Sequence, residues 1–445
     1  RLVQDGDLLF THDANGNLAT VTYPGGLVAS YAHDAMDREQ SLTVQPAGGT
    51  AVPVVAGTPG ASYRPFGPLE GLTFGNGLAE LRAHDFRYVP GSISLRQGAS
   101  DLFAWEYMSD ALGNLIEITE TAPEVEWRKF AYQDWQYYLA SASGPWCGEI
   151  VWWYDRSGNR TMESRCMASF RNYRYQRNAA GGSSPILESV LAKGAPARFY
   201  GYDAAGNVSR IETIGEPLVA LTTDAAGQLG ATARGEYGLA LSYDGRGFLR
   251  RAELRYEGEP TENTTTATYD SAGRLLALYR ESGTYSTERT AYLYLGDRPV
   301  AQWQQDGGGS GNLTYLTVDH LGTPVAASNS VGTLVWSGGF TPFGEEFTRP
   351  SAGDHGIFLR LPGQWSDPFW KKPLFTSDLY YNVHRWYEAG TGRYVSADPL
   401  SRLGIVGEKD YLYAEARPTI FSDPFGLFCS CFSDCPRRYP QPVCK

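Results

Sequence analysis

One phrase recurs along this chain and constrains its fold more than any other feature: an aromatic residue, Asp, two variable residues, Gly, a polar residue, then an apolar one. It reads Tyr202-Asp203-Ala204-Ala205-Gly206-Asn207-Val208, then Tyr243-Asp244-Gly245-Arg246-Gly247-Phe248-Leu249, then Tyr269-Asp270-Ser271-Ala272-Gly273-Arg274-Leu275. Weaker copies begin at His12, Tyr154 and Thr223, and more degenerate ones surround Asp34 and Asp110. Successive Asp positions at 203, 224, 244 and 270 are 21, 20 and 26 residues apart. A period of about 20 residues means one supersecondary unit per repeat, stacked on its neighbours because no unit buries its apolar face alone.

The flanks of each phrase alternate apolar and polar, as in Ala240 to Asp244 and Phe248 to Tyr256, which predicts β-strands. The Asp-x-x-Gly core between them predicts a hairpin turn. An Asp side chain bonds its own backbone two residues on, and Gly adopts positive φ at little steric cost. Asp203, Gly206, Asp244, Gly247, Asp270 and Gly273 are therefore expected to make turns and to bind nothing. The aromatic before each Asp is expected to pack on the sheet against the next repeat. The whole predicts a nearly all-β fold: antiparallel hairpins in one long spiralling sheet, with aromatics on its inner face.

This phrase resembles the YD repeat of Rhs proteins, teneurins and the C components of insecticidal Tc toxins. From residue 291 the wording changes, and an ordered series closely resembles the Rhs-associated core domain. It includes Asp319-His320-Leu321-Gly322-Thr323-Pro324, Trp336 to Glu345, Leu361 to Trp365, Gly392-Arg393, Asp398-Pro399 and Asp423-Pro424-Phe425-Gly426-Leu427. The resemblance covers the chain up to Leu427; residues 428–445 lie outside it. It implies a cocoon-like β-shell of repeats over 1–290, a core region over 291–427 that plugs one end, and a Cys-rich tail over 428–445 as the start of cargo. Since the first residues read as mid-repeat, the shell is expected to be open on its N-terminal side.

The resemblance also implies that the chain cuts itself after the Asp-Pro-x-Gly-Leu motif, here at Leu427–Phe428, and so frees an enclosed toxin for interbacterial or host competition. Two carboxylates a few ångströms apart share a proton, so that one activates a water while the other protonates the scissile carbonyl. Rhs effectors point to Asp398 and Asp423 as that pair; Tc-toxin C components point to Asp410 as the partner of Asp398. Arg393 is the candidate to orient or polarise the site. Such an intramolecular aspartyl autoprotease needs no turnover on an external substrate. The competing reading of Asp398 and Asp423 is that each merely starts an Asp-Pro turn. Two places depart from the family pattern: Ser401 stands where Gly is common, and 404–417 lacks the usual Asn-rich stretch.

Composition bounds the rest. The 445 residues include 29 Tyr, 11 Trp, 19 Phe and 51 Gly against 4 Met, and the net charge is −11. An acidic surface argues against nonspecific nucleic-acid binding. No run of 18 apolar residues predicts a membrane span. Export is expected, to the cell surface or beyond, with no signal within this chain. The expected partners are the chain's own C-terminal segment and a secretion apparatus or shell-closing protein. No cofactor is expected. His320 and His384 are assigned to packing or hydrogen bonding rather than to a metal. Cys147 and Cys166, 19 residues apart, are placed to pair across adjacent strands in an oxidising compartment. For Cys429, Cys431, Cys435 and Cys444 a disulfide knot and a zinc site both stay open, with three disulfide connectivities. Two other functions remain: a non-enzymatic surface adhesion or carbohydrate-binding array, and a relic that has lost its toxin.

Overall fold

The computed structural model describes residues 3–57, 60–178, 181–256, 263–283, 285–307, 309–347, 356–374, 379–403 and 409–427. Phe428 and the four tail cysteines fall outside them. One 31-stranded sheet runs as an antiparallel meander from Gln4–Asp5 to Leu334–Ser337. Many strands bury alternate residues, as in Tyr237–Tyr243 and Leu249–Tyr256, whose inward positions include Leu239, Leu241, Ala252 and Leu254; others, such as Pro324–Ser328, are buried on both faces. The sheet crosses residue 290 without a break, because Tyr285–Leu295 pairs with strands on both sides. The change of wording at 291 thus has no counterpart in strand pairing.

The Asp phrase is a turn of fixed chemistry. At Asp203 the Oδ1 atom accepts the N–H groups of Ala205 and Asn207, both at 2.9 Å, and Oδ2 accepts the Asn207 side chain at 2.9 Å. Asp244 and Asp270 repeat the pattern, with Arg246 or Arg274 supplying the bond to Oδ2. Gly206, Gly247 and Gly273 take φ of +86°, +86° and +79°, a region costly for any residue with a Cβ. A register shift sits just before each of these turns, at Tyr202, Tyr243 and Tyr269. Such bulges re-aim the side chain beside them.

That re-aiming joins one repeat to the last. Tyr243 donates its hydroxyl to the Leu229 carbonyl (2.7 Å), Tyr132 to Leu115 (2.6 Å), Tyr175 to Arg160 (2.9 Å) and Tyr294 to Leu275 (3.0 Å). In every case the acceptor lies five positions after the preceding turn's Asp (224, 110, 155 and 270). The aromatic therefore both packs and satisfies a backbone carbonyl. A buried tyrosine hydroxyl needs such a partner.

The sheet is not closed into a barrel; it spirals. Its first strands lie against strands a full turn later. Tyr23 bonds the Tyr292 carbonyl (2.9 Å), Tyr279 the Pro24 carbonyl (2.7 Å), and Arg82 the Val318 carbonyl (2.6 Å), separations of 269, 255 and 236 residues. One turn of the spiral thus takes about a dozen repeats of about 20 residues. Cys147 and Cys166 form a disulfide between neighbouring turns of the meander.

After Ser337 the chain enters the spiral and fills it. A four-stranded sheet, Gln364–Trp365, Leu379–Asn382, Arg385–Glu388 and Arg393–Tyr394, is buried on both faces. A short helix, Pro368–Leu374, accompanies it. This plug bonds to strands around the bore. Val208 donates to the Val395 carbonyl (2.8 Å), Trp386 Nε1 to the Tyr243 hydroxyl (3.2 Å), and Trp365 Nε1 to the Tyr269 hydroxyl (3.2 Å). Arg198 pairs with the buried Glu388 at 2.6 Å. The aromatics expected on the inner face are there, and they pack on the plug.

Candidate functional site

The plug places a single arginine between the two Asp-Pro motifs. Arg385 leads one strand of the small sheet and is 3% exposed; Asp398 and Asp423 are 2% and 1% exposed. Its Nη2 atom lies 2.8 Å from Asp398 Oδ2 and 3.3 Å from Asp423 Oδ2. The same nitrogen donates to the Leu427 carbonyl oxygen at 3.1 Å. Nε donates to the Gly426 carbonyl, and Nη1 to the Asp410 carbonyl at 2.8 Å. The guanidinium stacks 3.6 Å from the centre of the Tyr394 ring. This planar, five-donor fork is the one side chain able to hold so many acceptors in one geometry.

The Asp423 motif is the repeat turn used again. Gly426 N–H donates to the Asp423 carbonyl, and Leu427 N–H to Asp423 Oδ1 at 3.0 Å, as the fourth residue does in every Asp phrase. In the repeats, Oδ2 is often taken by a side chain two or four positions on, such as Arg246 or Asn207. Leu427 has no donor to offer, so Oδ2 is left for Arg385 and for the Tyr394 hydroxyl at 2.7 Å. Asn382 completes the cradle, donating to the Tyr394 hydroxyl (2.8 Å) and the Asp423 carbonyl (2.9 Å). Gly426 has φ of +63°, and a Cβ there would collide with the Asn382 carbonyl. The motif therefore pins the Leu427 carbonyl against Arg385.

Asp398 starts the 3-10 turn Pro399–Leu403, with Oδ1 accepting the Leu400 N–H at 2.8 Å. Burial pushes its carboxyl up to about 6, and the neighbouring charges of Asp423 and Asp410 push the same way. Arg385 and the Leu400 N–H only partly offset them. A carboxyl poised near 6 exchanges protons readily at physiological pH.

The other predicted site residues play different parts. Asp410 offers the site its backbone: its carbonyl accepts from Arg385 and from Asp398 N–H (3.0 Å), while its carboxylate accepts the Ser401 hydroxyl at 2.7 Å. Ser401, a departure from the family pattern, thus anchors Asp410. Arg393 is turned away from the carboxylates. It donates to Asn159 Oδ1 at 3.3 Å and to the Pro185 carbonyl, between the rings of Tyr175 and Tyr411, and so ties the plug to the shell. The arginine among the carboxylates is Arg385, which the sequence reading missed. His320 donates Nε2–H to the Thr419 carbonyl at 2.9 Å and packs on Tyr107. His384 packs on Phe248. Among the described residues no group of His, Cys, Asp and Glu is arranged to hold a metal ion, and no helix is long and apolar enough to cross a membrane.

Comparison with known proteins gives a consistent set. The RHS Repeat family model matches residues 12–50. Toxin protein Tse5 of Pseudomonas aeruginosa is 28% identical over 374 residues, covering 73% of this chain and 27% of Tse5. Probable deoxyribonuclease RhsA of Dickeya dadantii is 34% identical over 142 residues, 32% of this chain and 9% of RhsA. The chain therefore spans about a quarter of the length of Tse5 and less of RhsA. A crystal structure of TcdB2-TccC3-TEV superposes with a TM-score of 0.72 at 17% identity, over 95% of this chain and 22% of that one. At that identity the likeness concerns the fold alone, and it is to a β-shell.

Proposed function

We propose that this chain, an RHS-repeat protein related to Rhs toxins, forms part of a shell that encloses a C-terminal toxin segment and severs it by hydrolysing its own Leu427–Phe428 bond. The observation that carries the reading is that one nitrogen of Arg385 touches both carboxylates and the Leu427 carbonyl oxygen.

The chemistry follows from that arrangement. Arg385 polarises the carbonyl and stabilises the oxyanion that develops when water adds to the carbon. Asp398, ionised above about 6, takes the proton of the attacking water as the C–O bond forms. It then delivers that proton to the Phe428 nitrogen as the C–N bond breaks, leaving a Leu427 carboxylate and a free amine. Asp423 positions: its carboxylate holds the Leu427 N–H, the Tyr394 hydroxyl and Arg385 in one array. Since the substrate is tethered, its effective concentration is high and a single event suffices. The likeness to a relative named as a toxin, Tse5, supports a role in toxin delivery, secreted or at the surface, with the chain's own tail as the enclosed partner.

Denaturing electrophoresis of three variants tests the assignment. Asp398→Asn and Asp423→Asn keep size and turn but lose the carboxylate, and each is expected to leave one uncut chain. Asp410→Asn is expected to cut normally, because its contribution is a backbone carbonyl. Loss of cutting in Asp410→Asn alone would instead place the second carboxylate there.

A further inference from the structure

Beside the Asp423 turn lies a cavity of about 290 Å³ between the shell and the plug. Its walls include Leu275 and Tyr294 from the shell and Leu361, Trp365 and Phe425 from the plug. Gln364 also lines it, is 1% exposed, and has neither its Nε2 nor its Oε1 hydrogen-bonded among the described residues. A buried amide with both halves unmatched carries a substantial cost unless something supplies one donor and one acceptor. A peptide unit supplies both. Apart from Arg274, Asp297 and Arg360 the remaining wall is mostly apolar and aromatic, and a cavity of about 150 Å³ already accepts a benzene ring, so this one has room for about two aromatic side chains.

We propose that this cavity is the docking site of the segment that follows Leu427, with the aromatic side chains of Phe428 and Phe432 in the apolar part and a backbone amide of the same segment paired to Gln364. The proposal deepens the shell reading and rests on the tail lying inside the spiral. Three features select this occupant. Phe425 in the wall is two residues from Leu427, at most about 7 Å of chain, so the segment starts at the mouth. The 18 residues from 428 onward carry phenylalanines at 428 and 432, a spacing that puts both side chains on one face whenever a segment is extended. The cavity sets a few polar groups, Gln364 with Arg274, Asp297 and Arg360, in a mostly apolar wall, the usual make-up of a site that fixes an oriented ligand. Docking there holds the residue after the scissile bond still while the bond is cut, and keeps the severed tail anchored afterwards.

The test is photo-crosslinking in the full chain with p-benzoylphenylalanine at position 432, which leaves both residues of the Leu427–Phe428 bond unchanged. Crosslinks are expected on peptides containing Tyr294, Leu361 or Trp365. Ala272→Trp, an exposed position at the rim, should fill the mouth and lower that yield by about tenfold, the effect of about 1.4 kcal/mol lost from docking. Gln364→Leu should lower it as well, with the circular dichroism spectrum of each variant unchanged. Crosslinks elsewhere in the shell, to a second copy of the chain, or insensitive to Ala272→Trp overturn the proposal. Intact mass of the same sample reads cleavage separately. An uncut chain that crosslinks as described retains the docking site and discards the cleavage reading; a cut chain with crosslinks elsewhere does the reverse.

Discussion

Replacing Arg385 by lysine separates charge from geometry at the site. The arginine makes bonds to Gly426 O, Asp410 O, Asp398, Asp423 and Leu427 O, and stacks on Tyr394. Lysine keeps one positive charge and so spares the carboxylates an unpaired burial, a loss worth about 3–5 kcal/mol. Its single nitrogen cannot reach five acceptors spread around a plane. At least the Gly426 and Asp410 bonds go, at about 0.5–1.5 kcal/mol each, and the stacking loses about 0.5–2 kcal/mol. The fold should survive such a loss. Cutting should not: removing one preorganised donor from a developing oxyanion slows a reaction by about 10²- to 10³-fold. The assay is synthesis in a cell-free system, a chase, and intact-mass sampling over time, since the wild type is expected to cut soon after folding. A folded Arg385→Lys chain that cuts at the wild-type rate would refute the assignment of Arg385 to the carbonyl.

Further expectations concern pH, backbone and cross-links. The folded carboxyl of Asp398 is raised to about 6, so its ionised, proton-accepting form is lost as pH falls, and the cutting rate should drop below about pH 6. The same shift favours the protonated folded state: its contribution to stability is present below about pH 4, the usual carboxylate value, and is lost as pH rises through about 6. Gly426→Ala should both destabilise the plug and slow cutting, because φ of +63° and the Asn382 carbonyl leave no room for a methyl group; melting temperature and the chase assay read the two effects. Reducing Cys147–Cys166, or replacing both with Ser, should lower stability by about 2–4 kcal/mol, read by denaturant unfolding. Asp203→Ala removes the bonds to Ala205, Asn207 and Thr223 and should cost about 1–3 kcal/mol without affecting the cut.

What the sequence made legible was local. The Asp phrases were readable because most bonds of the turn run between Asp and positions two to four residues on, within the phrase itself. The tyrosine links were half readable. Packing was expected, but the acceptor sits 14 to 19 residues back and depends on a bulge that no residue type announces. The interior plug was implied only by resemblance, since its contacts with Tyr243, Tyr269 and Val208 span 96 residues or more. Arg385 escaped for the same reason: its partners are 13 to 42 residues away, and nothing beside it marks it. Arg393 drew attention because it follows Gly392 in a recognisable motif, yet it serves the shell–plug contact with Asn159 and Pro185. The signal that would have found Arg385 was the repeat turn itself: Leu427 in place of a polar side chain leaves Asp423 Oδ2 in need of an outside donor.

The most direct test of the central claim is the intact mass of the purified wild-type chain, denatured after incubation at pH 7. Denaturation matters because a severed tail held inside the shell co-purifies with it. The account predicts two products, residues 1–427 and 428–445, whose summed mass exceeds that of the uncut chain by one water, and a single uncut mass for Asp398→Asn. A single uncut mass for the folded wild type would contradict it, leaving Asp398 and Asp423 as turn residues and the protein as an uncut repeat shell.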